Sequence, residues 1–134
     1  KYPGAAKLEP GTITKPYSLA TAQNSLITDG CFIDGSLEFS VLFPGVVVEK
    51  DAVVTDSILM PGAVVKAGAK IQYAIVSENA VIGENAVVGM RPEDYKEDDG
   101  WGIAVVGDNV TVGKNATVSP DVMIDSDIEE GGKR

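Results

Sequence analysis

Residues 42–88 read LFPGVVVEKDAVVTDSILMPGAVVKAGAKIQYAIVSENAVIGENAVV, and the fold is decided there. Aliphatic residues recur at Leu42, Val48, Val54, Leu59, Val65, Ile71, Val76, Ile82 and Val88, in steps of 6, 6, 5, 6, 6, 5, 6 and 6. A helix repeats every ~3.6 residues and an amphipathic strand every ~2, so neither explains a repeat of six with a regular skip. A stack of short strands joined by corners does, and hexads of this kind mark a parallel β-helix in which each hexad forms one side of a coil. Three hexads close a triangular coil, and coils stack at the strand spacing of roughly 4.8 Å.

Sorting the residues onto three faces sharpens the expectation. Face A takes Leu42, Leu59 and Val76; face B takes Val48, Val65 and Ile82; face C takes Val54, Ile71 and Val88. Four residues on stand small or branched side chains, Val46, Ala63 and Ala80 after face A and Ala52, Ala69 and Ala86 after face B, which the pleat also turns inward. The corners agree for a separate reason. Pro44-Gly45, Pro61-Gly62 and Glu78-Asn79 follow face A; Lys50-Asp51, Ala67-Gly68 and Glu84-Asn85 follow face B. The second member is always Gly, Asn or Asp, the residues that accept positive φ most cheaply.

Outward from this stretch the pattern weakens. Residues 1–21 are rich in Pro, Gly and Thr and read as a linker or irregular lead-in, with Leu8 and Pro10-Gly11 resembling one imperfect hexad and its corner. The β-helix is expected over residues 22–124, about five coils, with Ile27 on face A, Ile33 on face B and Leu37 on face C; Ile33 to Leu37 is a step of four, so that coil has lost two residues at a corner. Cys31 falls at the small inward position. Residues 90–102 interrupt the repeat, which resumes in phase: Val106 is expected over Val76, Val112 over Ile82, Val118 over Val88, and Ile124 back on face A. The segment is thus an external loop, not a domain boundary. Residues 125–134 read as a polar, frayed tail.

Composition narrows the function. The 134 residues carry a formal charge of −9, which disfavours nucleic acid and anionic membranes as partners. No apolar run approaches a membrane span, and no signal peptide is expected. One cysteine cannot form an internal disulfide, in keeping with a reducing, cytoplasmic setting. Lys1 in place of an initiator Met reads as a processed chain or a piece of a longer one. Acyltransferases and zinc hydratases built on hexads use histidine as base or ligand, and the chain has none. It also lacks a Gly-rich phosphate loop. Catalytic, cofactor and metal residues are therefore expected to be absent. In the loop, Glu93, Asp94, Glu97, Asp98 and Asp99 match no calcium-loop spacing and read as a solvated acidic segment. Candidate effector or inter-domain contacts are Arg91, Lys96, Trp101 and Lys114.

The runs Asn24–Cys31 (NSLITDGC), Ser40–Val46 (SVLFPGV), Asp56–Gly62 (DSILMPG) and Tyr73–Gly83 (YAIVSENAVIG), followed by Asp99-Gly100-Trp101 and Val110–Lys114 (VTVGK), resemble in order the C-terminal domain of glucose-1-phosphate adenylyltransferase. The resemblance spans about residues 22–124. It implies a left-handed coil, which the spacing alone does not. It implies a parent enzyme that makes ADP-glucose and pyrophosphate from ATP and glucose 1-phosphate with Mg²⁺ in glycogen or starch synthesis, in the cytoplasm or, in plants, the plastid. It places catalysis in an N-terminal domain and gives this domain a part in allosteric control and in a homotetramer. Some members use basic effector contacts in the late coils, where this chain reads Val105-Val106-Gly107-Asp108 without a Lys. The alternatives are the β-helix tail of another sugar-phosphate nucleotidyltransferase, such as a mannose-1-phosphate guanylyltransferase, or a stand-alone structural β-helix.

Overall fold

The computed structural model describes residues 22–96 and 100–134. Residues 1–21, with the Leu8 hexad, and Glu97, Asp98 and Asp99 lie outside the described residues.

Among the described residues seventeen short strands form three parallel sheets, one per face. Face A contains Leu26–Ile27, Val41–Leu42, Ile58–Leu59, Ala74–Val76, Ala104–Val106 and Met123–Ile124. Face B contains Phe32–Ile33, Val47–Val48, Val64–Val65, Val81–Ile82 and Thr111–Val112. Face C contains Ala22–Gln23, Ser36–Glu38, Val53–Thr55, Lys70–Gln72, Val87–Val88 and Thr117–Val118. The registers are those the ladders demand. Ile27, Leu42, Leu59, Val76, Val106 and Ile124 stack on face A. Ile33, Val48, Val65, Ile82 and Val112 stack on face B. Leu37, Val54, Ile71, Val88 and Val118 stack on face C.

These side chains and the small residues behind them, Cys31, Val46, Ala63 and Ala80 among them, make one aliphatic core along the axis. Register is tightly specified because a one-residue slip would turn every inward side chain outward. Backbone amides run from coil to coil at 2.9–3.0 Å, as in Val41 N–H to Ser57 O, Val47 N–H to Ala63 O and Val53 N–H to Ala69 O.

At the corners after faces A and B, positive φ falls on Gly45, Gly62, Asn79 and Asn109 and on Asp51, Gly68, Asn85 and Asn115. The left-handed residue aims its amide at the corner one coil earlier: Gly62 N–H donates to Pro44 O and Asn79 N–H to Pro61 O, both at 3.1 Å. The four-residue step from Ile33 to Leu37 is made at Gly35, where a Cβ would strike the carbonyls of Ala52 and Glu49 in the next coil. No side chain fits that cut corner.

Two expectations need correction. The solenoid has about six turns, not five. The tail is also docked, not frayed. Ile128 is buried and bridges to Val112, extending face B, and Lys133 bridges to Thr117, extending face C. Gly131, at φ +72°, donates to Lys114 O at 2.8 Å, continuing the corner column after face B. Ile124 to Ile128 is again a step of four, which a strict hexad count passes over.

Candidate functional site

The corner between faces C and A differs from the other two, and the loop leaves from it. Below the loop its steps are of five residues, one short of the usual turn; above it, Val118 to Ile124 is a six-residue step with Asp121 at φ +65°. In the five-residue passages positive φ falls on Asn24, Phe39, Asp56 and Tyr73, two of them bulky aromatics. For a bulky residue such a backbone costs about 1–2 kcal/mol, so the surroundings must hold it there. A column of serines does so. Ser25 Oγ accepts from Ser40 N–H at 3.1 Å, Ser40 Oγ from Ser57 N–H at 3.2 Å, and Ser57 Oγ from Ala74 N–H at 3.1 Å. The hydroxyls of Ser40 and Ser57 donate in turn to Glu38 O and Thr55 O, at 3.0 and 2.8 Å. Both serines are buried with their hydrogen bonds made. The column stops at Ala74, and the next passage through this corner is the loop. Sequence reasoning missed it, although a serine before each face-A strand, at 25, 40 and 57, was the available signal.

The chain departs at Gly89. Its φ is +78°, and a Cβ there would collide with the Gln72 carbonyl. A single 3-10 turn, Pro92–Asp94, follows, closed by a salt bridge from Arg91 Nε to Asp94 Oδ2 at 3.2 Å. On the return, Trp101 donates its indole N–H to Met90 O at 2.6 Å and stands edge-on to Tyr73, ring centroids 5.4 Å apart. The indole thus ties the two feet of the loop together over the left-handed Tyr73. Desolvation, then the charges of Asp56 and Glu93, push the Tyr73 phenol above its ordinary pKa. Beneath the loop lies an open groove of about 480 Å³, lined by Met90, Asp94, Lys96, Ser119, Pro120 and Val122 among others. It offers one ammonium and one carboxylate rather than a cluster of like charges.

Of the four candidate contacts, three belong to the loop and Lys114 stands apart from them. Arg91 is engaged with Asp94, Lys96 lines the groove, and Trp101 is held inside the loop. Lys114 is exposed at the corner between faces B and C, on another edge of the prism. Cys31 is fully buried, with its Sγ 3.3 Å from Phe43 O, and burial pushes the thiol above its ordinary pKa. Among the described residues no three His, Cys, Asp or Glu side chains converge as metal ligands, and no helix is long and apolar enough to cross a membrane.

The outer surfaces also differ. The residues flanking each inward one on face A are Leu26 and Thr28, Val41 and Phe43, Ile58 and Met60, Ile75 and Ser77, Val105 and Gly107, Met123 and Asp125; only Asp125 is charged. Face B carries Asp34, Glu49 and Lys66 at the matching positions, and face C carries Glu38 and Lys70. The exposed large hydrophobics among the described residues are Leu26 (62%), Phe39 (54%), Ile58 (37%), Ile103 (49%) and Met123 (76%). All five lie on face A or on the corner that leads into it. On face B, by contrast, the outward Val47 is only 4% exposed.

Comparison with known proteins fits this architecture. Glucose-1-phosphate adenylyltransferases of Bacillus anthracis and Bacillus mycoides (strain KBAB4) are 44% identical over 57 residues, 42% of this chain. The match covers 15% of their own length. Among solved structures, the H141A mutant of GDP-perosamine N-acetyl transferase from Caulobacter crescentus, bound to CoA and GDP-perosamine, aligns with a TM-score of 0.64 at 17% identity, over 85% of this chain and 48% of its own. The H141N mutant of that organism's perosamine N-acetyltransferase aligns at 0.52 and 13% identity, over 84% of this chain and 52% of its own. At such identities the likeness is one of fold. The model of the GlmU-like C-terminal hexapeptide family matches residues 11–101, more than half of the chain. With its left-handed hexapeptide β-helix, the chain belongs to the GlmU-like C-terminal hexapeptide family.

Proposed function

We propose that this chain is the C-terminal regulatory and oligomerisation domain of a glucose-1-phosphate adenylyltransferase, not catalytic by itself. The observation that carries the reading is the 44% identity over 57 residues to that enzyme in Bacillus, well above the identities to the acetyltransferase structures. The parent enzyme joins ATP and glucose 1-phosphate to give ADP-glucose and pyrophosphate. In this reading Mg²⁺ and ATP are bound by a separate catalytic domain. Acyl transfer is not favoured, because the histidine base it relies on elsewhere has no counterpart in the sequence. This domain's part is mechanical. A rigid prism with a charge-poor side and a pinned loop presents surfaces to a catalytic domain and to other subunits.

The test is to isolate the native polypeptide from its source with an antibody to this chain, weigh it and assay it. A mass several times 14.0 kDa, with Mg²⁺-dependent ADP-glucose synthesis, is expected. A native mass of 14.0 kDa, or synthesis of GDP-mannose from GTP and mannose 1-phosphate instead, would overturn the reading.

A further inference from the structure

We propose that face A is a self-pairing surface on which a second copy of this chain docks with its helix axis antiparallel. A twofold axis in the face, perpendicular to the coil stack, reverses the order of the coils and keeps each corner against its own equivalent. Among the described residues face A has six strands, so the first of them meets the sixth, the second the fifth and the third the fourth. Leu26 then lies opposite Met123, Val41 opposite Val105, and Ile58 opposite Ile75. At the leading corner, Phe39 enters the second strand and Ile103 the fifth, so these two meet as well. Each of the five exposed large hydrophobics thereby finds an apolar partner, in the one arrangement that matches them all at once.

Charge points the same way. The chain carries −9, and face A is the side on which two copies approach with the fewest charges between them. At the corner after face A, the acids Glu78 and Asp108 fall opposite Pro61 and Pro44, because the acidic coils lie in the upper half and the Pro-Gly coils in the lower. The Asp125 carboxylates are carried to opposite ends of the interface. A parallel or threefold arrangement would bring all copies of Asp125 to one level. The unfavourable meeting left is Asp29 with Asp127 at the rims.

Area sets the strength. Six coils about 4.8 Å apart and a side about four extended residues wide give roughly 380 Å² of flat face. Side-chain relief and the corner residues raise the burial to about 500 Å² per copy, near the lower limit for a specific interface. A face of this size is at the small end of specific interfaces, and the pairing strengthens with salt as residual like-charge repulsion is screened.

The pairing rests on the self-association half of the proposed function. Its test reads mass and cross-links, so it can fail while the ADP-glucose assay succeeds, or the reverse. In sedimentation equilibrium across the micromolar range, the 134-residue chain should move from 14.0 kDa to twice that mass, more readily at high salt. Ile58→Asp puts two carboxylates at the centre and should raise the dissociation constant roughly a hundredfold or more, with the melting temperature little changed. Should that variant not fold, cysteine pairs still decide. Leu26→Cys mixed with Met123→Cys should form a mixed disulfide dimer, whereas neither alone should cross-link; Cys31, fully buried, stays silent. Within one chain positions 26 and 123 are about 24 Å apart, beyond the ~7 Å reach of a disulfide. A monomer at every concentration, a trimer, or 26-to-26 cross-links would each overturn the proposal.

Discussion

The corners after faces A and B and the corner before face A make the same bend by different means. The first two mostly turn in six residues with Gly, Asn or Asp at the left-handed position, the four-residue steps at Gly35 and before Ile128 being the exceptions. The third is five residues long below the loop, puts Phe39 and Tyr73 at positive φ there, and supports them with the buried hydroxyls of Ser40 and Ser57. It is also where the loop leaves, where Trp101 returns, and where two of the five exposed large hydrophobics lie. A corner that only turns the chain uses the cheapest residue for turning. A corner that also presents a surface spends several side chains on holding a costlier conformation.

That contrast can be tested from the core outward. Val65→Asp places an unpaired carboxylate in the axial core, and should cost several kcal/mol and abolish cooperative unfolding in a thermal melt. This substitution is the ceiling for both kinds of corner. Next comes Gly89→Ala. Left-handed backbone and a collision with the Gln72 carbonyl together should cost about 2–4 kcal/mol. Gly45→Ala, with a similar φ and no close neighbour, should cost only about 1 kcal/mol. Equal denaturation midpoints for these two would erase the distinction between the corners.

Ser57→Ala leaves the Ala74 amide and one hydrogen bond to Thr55 O unsatisfied in a buried site. A loss of about 1–3 kcal/mol is expected in denaturant titrations. At an ordinary corner, Glu49→Ala removes a half-buried carboxylate that accepts from Ala67 N–H at 3.1 Å, and about 0.5–1 kcal/mol should be lost. Glu49 flanks the core but is not the idle outward residue its alternation suggests. The smallest effect belongs to Trp101→Phe, which keeps a ring near Tyr73 and deletes the 2.6 Å bond to Met90 O. Global stability should move by less than about 1 kcal/mol, while amide exchange in the loop should quicken. Unchanged loop exchange would mean the indole does not pin it.

The ladder residues were readable because two constraints coincide on them. The inward period must be kept to fill a thin core, and a left-handed residue is needed where the chain turns. Ile27, Ile33 and Leu37 could be placed even through a shortened coil, and Val106, Val112 and Val118 across the loop, since each stacks on a ladder residue of the regular stretch. The tail escaped because Ile128 follows Ile124 by four residues and its neighbours are charged. Besides Ile128, its docking comes from backbone amides, which leave little trace in composition. The serine column escaped because a serine before an aliphatic pair looks like any surface serine until the coil above covers it. Arg91, Lys96, Trp101 and Lys114 were legible as unusual residues but not as neighbours. Their chain positions say nothing of which edge of the prism they occupy.

By itself, then, the sequence determined the coil, its register and the two simple corners. Each follows from side-chain period and from the few residue types that tolerate positive φ, both local properties. Only the tertiary structure decided which outward surface stays open. Val47 and Met123 are both apolar and both point away from the axis, yet one is 4% exposed and the other 76%. Alternation sets the direction of a side chain. What packs against it depends on groups distant along the chain, and so it is settled only when the coils have stacked.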